Sequence, residues 1–337
     1  MEKSKVLVVG GTGYIGRRIV KASLAQGHPT YVLMRPDMGF AVDKIQMILS
    51  FKAAGARVVE ASVDDHRSLV DAVKKVDLVV SAMSGYQLSR QLKLVDAIKE
   101  AGNIKRFLPS EFYMDPARME HALAPGRNTF DEKMEIRRAI EEANIPTPMF
   151  LLTALLLTLC PTSVNWVPFS LPKRKFKYME MGTSKVWTAI AAWIRCAVFD
   201  PSGWEPNDSM KSWWLPVFMD EDDIGTYSIK TVDDPQTLNK TLYLRPPENI
   251  LSQNELIDTW EKLSGKVLEK IHVRNDELLA SMEGAEFLHQ VAVCHFHHIF
   301  YEGCLTNFDI GKGCEEAFLL CPEVQYTQMD EYMKRYL

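Results

Sequence analysis

Residues Gly10-Gly11-Thr12-Gly13-Tyr14-Ile15-Gly16 constrain the fold of this chain more than any other feature. They follow an apolar run, Val6–Val9, and precede a stretch with apolar residues at Ile15, Ile19, Val20 and Leu24. Read as Gly11-x-Gly13-x-x-Gly16, they form a dinucleotide-binding turn in its strand–turn–helix setting. Gly11 and Gly13 permit a tight turn and a close approach of backbone to a pyrophosphate, and Gly16 lets the helix sit close to the sheet. The helix N-terminus then offers N–H groups and a positive dipole end to the phosphates.

Strand and helix patterns alternate through the first half of the chain. Strands are expected at Thr30–Leu33, Arg57–Glu60, Asp77–Ala82 and Arg106–Leu108, and helices at Asp43–Ala54, His66–Lys74, Gln91–Ala101 and Asp131–Glu142. This order implies an α/β fold, a Rossmann-type doubly wound parallel sheet. Ligands should lie beyond the carboxyl ends of its strands. Gly10–Gly16, Arg35, Ser81–Gly85 (with Ser84) and Ser110–Phe112 all fall there. The second half is less regular. A helix is expected after Asp220-Glu221-Asp222-Asp223, a strand at Lys240–Leu244, and Ser252-Gln253-Asn254-Glu255 reads as a capping box. These elements are expected to form a smaller C-terminal α/β substrate lobe.

Composition narrows the function classes. The chain has 337 residues, 47% of them hydrophobic, and a net charge of −5. That charge argues against nucleic acid as a partner. Met1–Lys5 runs straight into the first strand, with no signal-peptide pattern, so the cytoplasm is the expected compartment. The longest apolar stretches, Met149–Leu159 and Val186–Phe199, fall short of the roughly 20 residues that a membrane span needs. The six cysteines contain no Cys-x-x-Cys pair, and reduced thiols are the expectation.

The second strand ends Leu33-Met34-Arg35-Pro36. An NAD enzyme places an acid here, about 20 residues beyond the glycines, for the ribose 2′-hydroxyl. A guanidinium suits a 2′-phosphate instead, because its fork makes two charge-assisted bonds. Lys44 can reach the same phosphate from the next helix. NADP/NADPH is therefore the expected cofactor; the plainer alternative is that Arg35 is a solvated loop residue.

With these residues in hand, the chain resembles the isoflavone reductase-like, atypical short-chain dehydrogenase (NmrA-like) family of plant phenylpropanoid metabolism. Within it the resemblance is strongest to pinoresinol/lariciresinol reductases. It is carried by Val9–Gly16, Asp43–Met47, Asp64–Leu69, Asn103–Phe112, Thr129–Met134, Phe218–Asp223, Leu244–Gln253 and His298–Phe308. The resemblance implies NADPH-dependent hydride transfer to a lignan's benzylic carbon as a cyclic ether opens. It implies that Lys133 is the general base and also contacts the cofactor, and that Ser110 and Phe112 lie beside the nicotinamide. Read without the family, Lys133 is a surface lysine of a charged helix, and Ser110 and Phe112 are a cap and a core aromatic. A homodimer is a further expectation.

The run His295, His297, His298 invites a metal reading. No carboxylate or cysteine pairing gives ligand spacing, and His297 and His298 cannot share a helix face. The expectation is a packed helix without metal, with His295 lining the substrate pocket.

The resemblance breaks in three places. The loop Tyr86–Arg90 is shorter than the family pattern, and Tyr113-Met114 replaces a Gly-containing pair. Residues 149–217 do not follow the family at all. The genetic code offers an explanation. Met149–Leu156 can be written ATG TTT CTG CTA ACT GCT TTG CTG. With a T in front, the shifted frame spells Tyr-Val-Ser-Ala-Asn-Cys-Phe-Ala, the strand that the family would supply. Lys173–Thr183, shifted alike, contains the family's loop Tyr-Gly-Asp-Gly-Asn. The reading is a frameshift from about 149 to 185, with 186–217, rich in tryptophan, as retained intron or other non-native sequence; the alternative is a real, divergent insertion. The expected organisation is thus an NADP-binding domain over 1–148, an aberrant segment over 149–217, and the remainder of the fold over 218–337.

Four functions stand after this reading. The first is a lignan reductase. The second is a sibling isoflavone or phenylcoumaran benzylic ether reductase. The third is an NADP-binding regulatory protein without turnover, and the fourth is an inactive product of a damaged gene. Lys133 in its motif favours an enzyme over a regulator.

Overall fold

The computed structural model describes residues 3–36, 41–147, 149–151, 155–156, 195–199 and 215–337. Its centre is a five-stranded sheet of β1 (Val6–Val9), β2 (Thr30–Met34), β3 (Arg57–Glu60), β4 (Leu78–Ser81) and β5 (Arg106–Leu108). All neighbours are parallel, in the order β3-β2-β1-β4-β5. The order reverses between β1 and β4, so a crevice opens beyond their carboxyl ends. The turn Gly10–Gly16 leaves β1 there, Ser81–Gly85 leaves β4, and Ser110–Phe112 follows β5.

The pleat explains why β1 is apolar throughout. Val6 and Val8 point into one core, shared with Ile19 and Val20 of α1 (Gly16–Ala25) and Ile48 and Phe51 of α2 (Val42–Ala53). Leu7 and Val9 point into the other. That second core takes Leu69 and Val70 from α3 (His66–Val73), Leu94 and Ile98 from α4 (Gln91–Ala101), and Ile136 and Ile140 from α5 (Arg127–Glu142). A strand covered by helices on both faces has no solvent side to keep polar.

Two glycines of the turn show why they are required. Gly10 has φ +83°, and a Cβ there would stand 2.6 Å from the Ala82 carbonyl oxygen. A Cβ at Gly16 would stand 2.0 Å from the Gly10 carbonyl oxygen. Gly11 is needed for a different reason than expected. Its backbone lies outside the left-handed region, and a Cβ would meet Val32 Cγ1 at 2.8 Å.

The elements follow the sequence expectation closely, with local differences. Gly102 closes α4 with φ +68°. The short loop Tyr86–Arg90 is a 3₁₀ turn, Gly85–Arg90, running directly into α4. α5 begins one turn earlier than its charged pattern suggests, at Arg127. Tertiary packing explains this extension: Phe130 is buried, and Gly126 sits where a Cβ would be 2.5 Å from Cys294 Cβ.

Beyond α5, Phe107 N–H donates to the Pro146 carbonyl, so the chain entering strand Met149–Leu151 runs beside β5. Met149–Leu151 pairs in parallel with Thr241–Tyr243, which pairs in parallel with Cys314–Glu316. Leu155–Leu156 pairs with Phe218–Met219, and Arg195–Phe199 with Glu269–Val273. The rest of the frame-shifted reading, 152–154, 157–194 and 200–214, lies outside the described residues.

Helix Glu221–Lys230 is capped by Asp220, which accepts from Asp222 N–H. It packs on α1 at Gly225, where a Cβ would be 2.7 Å from the Arg18 carbonyl carbon. The capping box at Ser252 forms as expected: Ser252 Oγ accepts from Glu255 N–H at 3.1 Å, and Glu255 accepts from Ser252 N–H at 2.7 Å. Among the described residues, no helix is long and apolar enough to cross a membrane.

Candidate active site

The crevice is framed first by the glycine turn. Gly13 N–H donates to the Gly10 carbonyl at 2.8 Å and closes the turn, and α1 starts at Gly16 with no acidic residue in its first turn. Thr12 and Ile15 lie in the turn, and Tyr14 anchors it. The Tyr14 hydroxyl donates to Glu221 at 2.6 Å, and the Arg18 guanidinium lies over its ring, 4.1 Å from the centroid. Arg35 and Lys44 are exposed at the carboxyl end of β2 and in the first turn of α2. Ser84 is exposed at the start of the 3₁₀ turn after β4.

The opposite wall is buried and polar. Ser110 is held on both its groups: its N–H donates to Gln91 Oε1 and its Oγ to the Met83 carbonyl, each at 2.8 Å. The Phe112 carbonyl accepts from Lys133 Nζ at 2.8 Å. Lys133 is only 4% exposed, which excludes the surface-lysine reading. Burial pushes its pKa down to about 8, against the pull of Glu111 and Asp115. One helical turn along α5, Arg137 grips Glu111 through two bonds of 2.9 and 3.1 Å and reaches Asp115 at 3.1 Å. Tyr243 donates to the other Asp115 oxygen at 2.7 Å. This buried network pins residues 111–115, and with them the carbonyl that Lys133 touches.

His295 meets the same wall from helix Phe287–Phe300. Its ring lies 5.2 Å from that of Phe130 and 5.7 Å from that of Tyr113. Burial lowers its pKa to about 4, so the imidazole is neutral at physiological pH.

Comparison with known proteins places the chain. A family model described as the NmrA-like family matches residues 2–333. The chain belongs to the NmrA-like family. An isoflavone reductase homolog of Lupinus albus is 54% identical, with 100% of each chain covered. Pinoresinol reductase 1 of Arabidopsis thaliana is 50% identical, covering 100% of this chain and 98% of its own. The solved structure "AtPrR2 with NADP+ and (+)pinoresinol" superposes with a TM-score of 0.82 at 47% identity, covering 100% of both chains.

Around Lys133, sequence reasoning missed Glu111, Asp115, Arg137 and Tyr243. One signal was available. Arg137 follows Lys133 by four residues and so shares its helix face.

One expectation about the histidines needs correction. The fold does bring a carboxylate and a cysteine to the histidine run: His121, His298, Glu302 and Cys304 place their ligand atoms within 4.8 Å of one another. Glu302 and Cys304 follow His298 by four and six residues, a spacing the sequence did offer; only His121, from a distant loop, could not be read there. The hydrogen bonds nevertheless describe a clamp. Leu123 N–H donates to His298 Nε2 at 3.0 Å, which leaves the ring proton on Nδ1, facing Glu302 at 2.6 Å. A metal at Nδ1 would drive that proton to Nε2, against the Leu123 N–H. His297 and His121 also reach Glu302, at 3.1 and 3.0 Å, and these contacts hold its carboxyl far below the usual range. The clamp ties the loop before α5 to helix Phe287–Phe300.

Proposed function

We propose that this chain is an NADPH-dependent reductase of pinoresinol-type lignans, opening a cyclic benzylic ether. Pinoresinol would go to lariciresinol, and lariciresinol to secoisolariciresinol. The observation that carries the reading is Lys133, desolvated and held at the crevice beyond the strand ends. The glycine turn fits the dinucleotide, since any Cβ at Gly16 would fill the turn that brings backbone N–H groups to the phosphates. Arg35 and Lys44 are the proposed partners of the 2′-phosphate. Gly10–Gly16, Ser84, Ser110 and Phe112 complete the proposed cofactor surface.

Lys133, in its neutral form, takes the proton of the substrate phenol. The electron pair moves through the ring, and the benzylic C–O bond breaks, leaving a quinone methide and an alkoxide. Bound NADPH supplies the hydride that the benzylic carbon accepts, which restores the aromatic ring and the phenolate. Lys133, now an ammonium, returns its proton to the phenolate, and the alkoxide takes the second proton from solvent, so the net reaction consumes one proton. A base works best with its pKa near the operating pH, and burial brings this lysine there. His295, neutral, lines the substrate side.

The test is NADPH oxidation with racemic pinoresinol and chromatographic identification of lariciresinol. Turnover of a phenylcoumaran or an isoflavone, with pinoresinol untouched, would move the assignment to a sibling reductase. NADPH binding without turnover of any of the three, both by this chain and by one with 149–217 replaced by the shifted-frame family sequence, would leave a non-catalytic dinucleotide-binding protein.

Cofactor choice gives a separate prediction. Arg35→Ala should weaken NADPH binding about tenfold, the scale of a charge-assisted hydrogen bond at an exposed site, and leave NADH nearly unchanged. Equal losses for both dinucleotides, measured by fluorescence titration, would remove Arg35 from the 2′-phosphate.

We also carry the frameshift reading of 149–217 forward. The chain as written should turn over at least about 100-fold more slowly than a version in which 149–217 is replaced by the shifted-frame family sequence, because a displaced reacting centre costs that much. Matching rates in the two proteins, or a transcript with no frame disturbance, would make the segment a working insertion.

A further inference from the structure

Tyr113 stands where its backbone is under strain. Its φ is +95°, and the other described non-glycine residues with positive φ are Asn144 and Asn239. Asparagine visits this region at little cost, whereas a bulky aromatic residue there is an outlier. Strain of this kind persists only where the surroundings over-determine it, and it clusters at ligand sites. Here both flanks are fixed. The Phe112 carbonyl is bound by Lys133, Met114 is fully buried, and Asp115 is held by Arg137 and Tyr243.

The side chain has its own oddity. The ring packs against His295, which packs against Phe130, so it sits on the wall that carries Lys133. Tyr113 is half-buried, its hydroxyl bonds to none of the described residues, and desolvation pushes its pKa up. A neutral phenol is a hydrogen-bond donor, not a base.

We propose that Tyr113 is a substrate-contacting, specificity-determining residue: its ring walls the substrate site between Lys133 and His295, and its hydroxyl donates to an oxygen of the bound phenolic substrate. This rests on the reductase reading above. A glycine in its place would relax the positive-φ backbone but leave the wall open.

The experiment uses the full chain with Tyr113→Phe and Tyr113→Gly. The NADP+-loaded proteins are titrated calorimetrically with pinoresinol, a phenylcoumaran and an isoflavone, and NADPH-dependent turnover of each is measured. Y113F should raise the Kd and KM for pinoresinol about tenfold, the worth of one hydrogen bond, with NADPH binding and Tm unchanged. Y113G should raise them further and change the preference among the three ligands, while its Tm stays level or rises. A Y113F protein with the wild-type Kd overturns the assignment, whatever Y113G does. If the wild type binds pinoresinol but neither it nor the version with 149–217 replaced reduces it, the reductase reading fails, and the Kd ratio still decides Tyr113. A wild type that binds none of the three overturns both.

Discussion

Lys133→Ala, and the better-packing Lys133→Met, should lower both kcat and kcat/KM for pinoresinol by about 100- to 10,000-fold, the range a general base contributes. NADPH affinity should stay within about twofold. Equal losses in kcat and kcat/KM are the mark of a contact made only in the transition state. The pH profile is a second readout. Lys133 must be unprotonated to accept the phenol proton, so kcat/KM should climb as pH rises through about 8 in the parent protein. The climb should vanish in the variants. These measurements belong in the version with 149–217 replaced, so that a low parent rate does not hide the effect. Turnover near the parent rate in Lys133→Met would refute the base assignment.

The second large effect is expected at Arg137. Its guanidinium neutralises Glu111 and Asp115, and both carboxylates are buried. Arg137→Met would leave Glu111 without its ion pair and Asp115 with only Arg118, at 3.6 Å, and removing one partner of a buried pair costs about 3–5 kcal/mol. Against a typical domain stability of about 5–15 kcal/mol, that is a large share. The midpoint of urea unfolding should fall accordingly. Arg137→Lys, which keeps the charge but loses the two-point grip on Glu111, should fall between. Catalysis should respond as well. With Arg137 gone, its repulsion of the Lys133 charge is lost and Glu111 attracts that charge unopposed, so the climb in kcat/KM should move to higher pH. Unchanged unfolding midpoints in both variants would show that the network contributes nothing to stability.

Most of the sheet was legible from local pattern. β3, β5 and α4 have the bounds that the sequence suggested, because an apolar run, a glycine stop and a turn are local signals. Boundaries moved where distant packing decided them. α5 starts at Arg127 instead of Asp131 because Phe130 and Gly126 are gripped by residues near 294, more than 150 positions away. The glycine turn was placed correctly but explained incompletely. Gly10, outside the usual three-glycine count, has the left-handed backbone, while Gly11 makes room for Val32.

What the chain's sequence determined by itself was whatever depends on neighbours a few residues apart. That covers the alternating strands and helices, the dinucleotide turn, the basic residue after β2, the capping box, and, through resemblance, Lys133 as the residue to watch. What only the tertiary structure decided depends on groups brought together from far apart. The burial that lowers the Lys133 pKa comes from residues of separate elements closing over it. The Arg137 network joins α5 to residues 111–115 and to Tyr243. The Glu302 clamp joins His121 to His297 and His298. The strain at Tyr113 is invisible in the residue name alone, since φ is set by the anchors on either side. The physical reason is the same in each case: desolvation and charge pairing depend on distance in space, and sequence spacing reports that distance only along a single helix or strand.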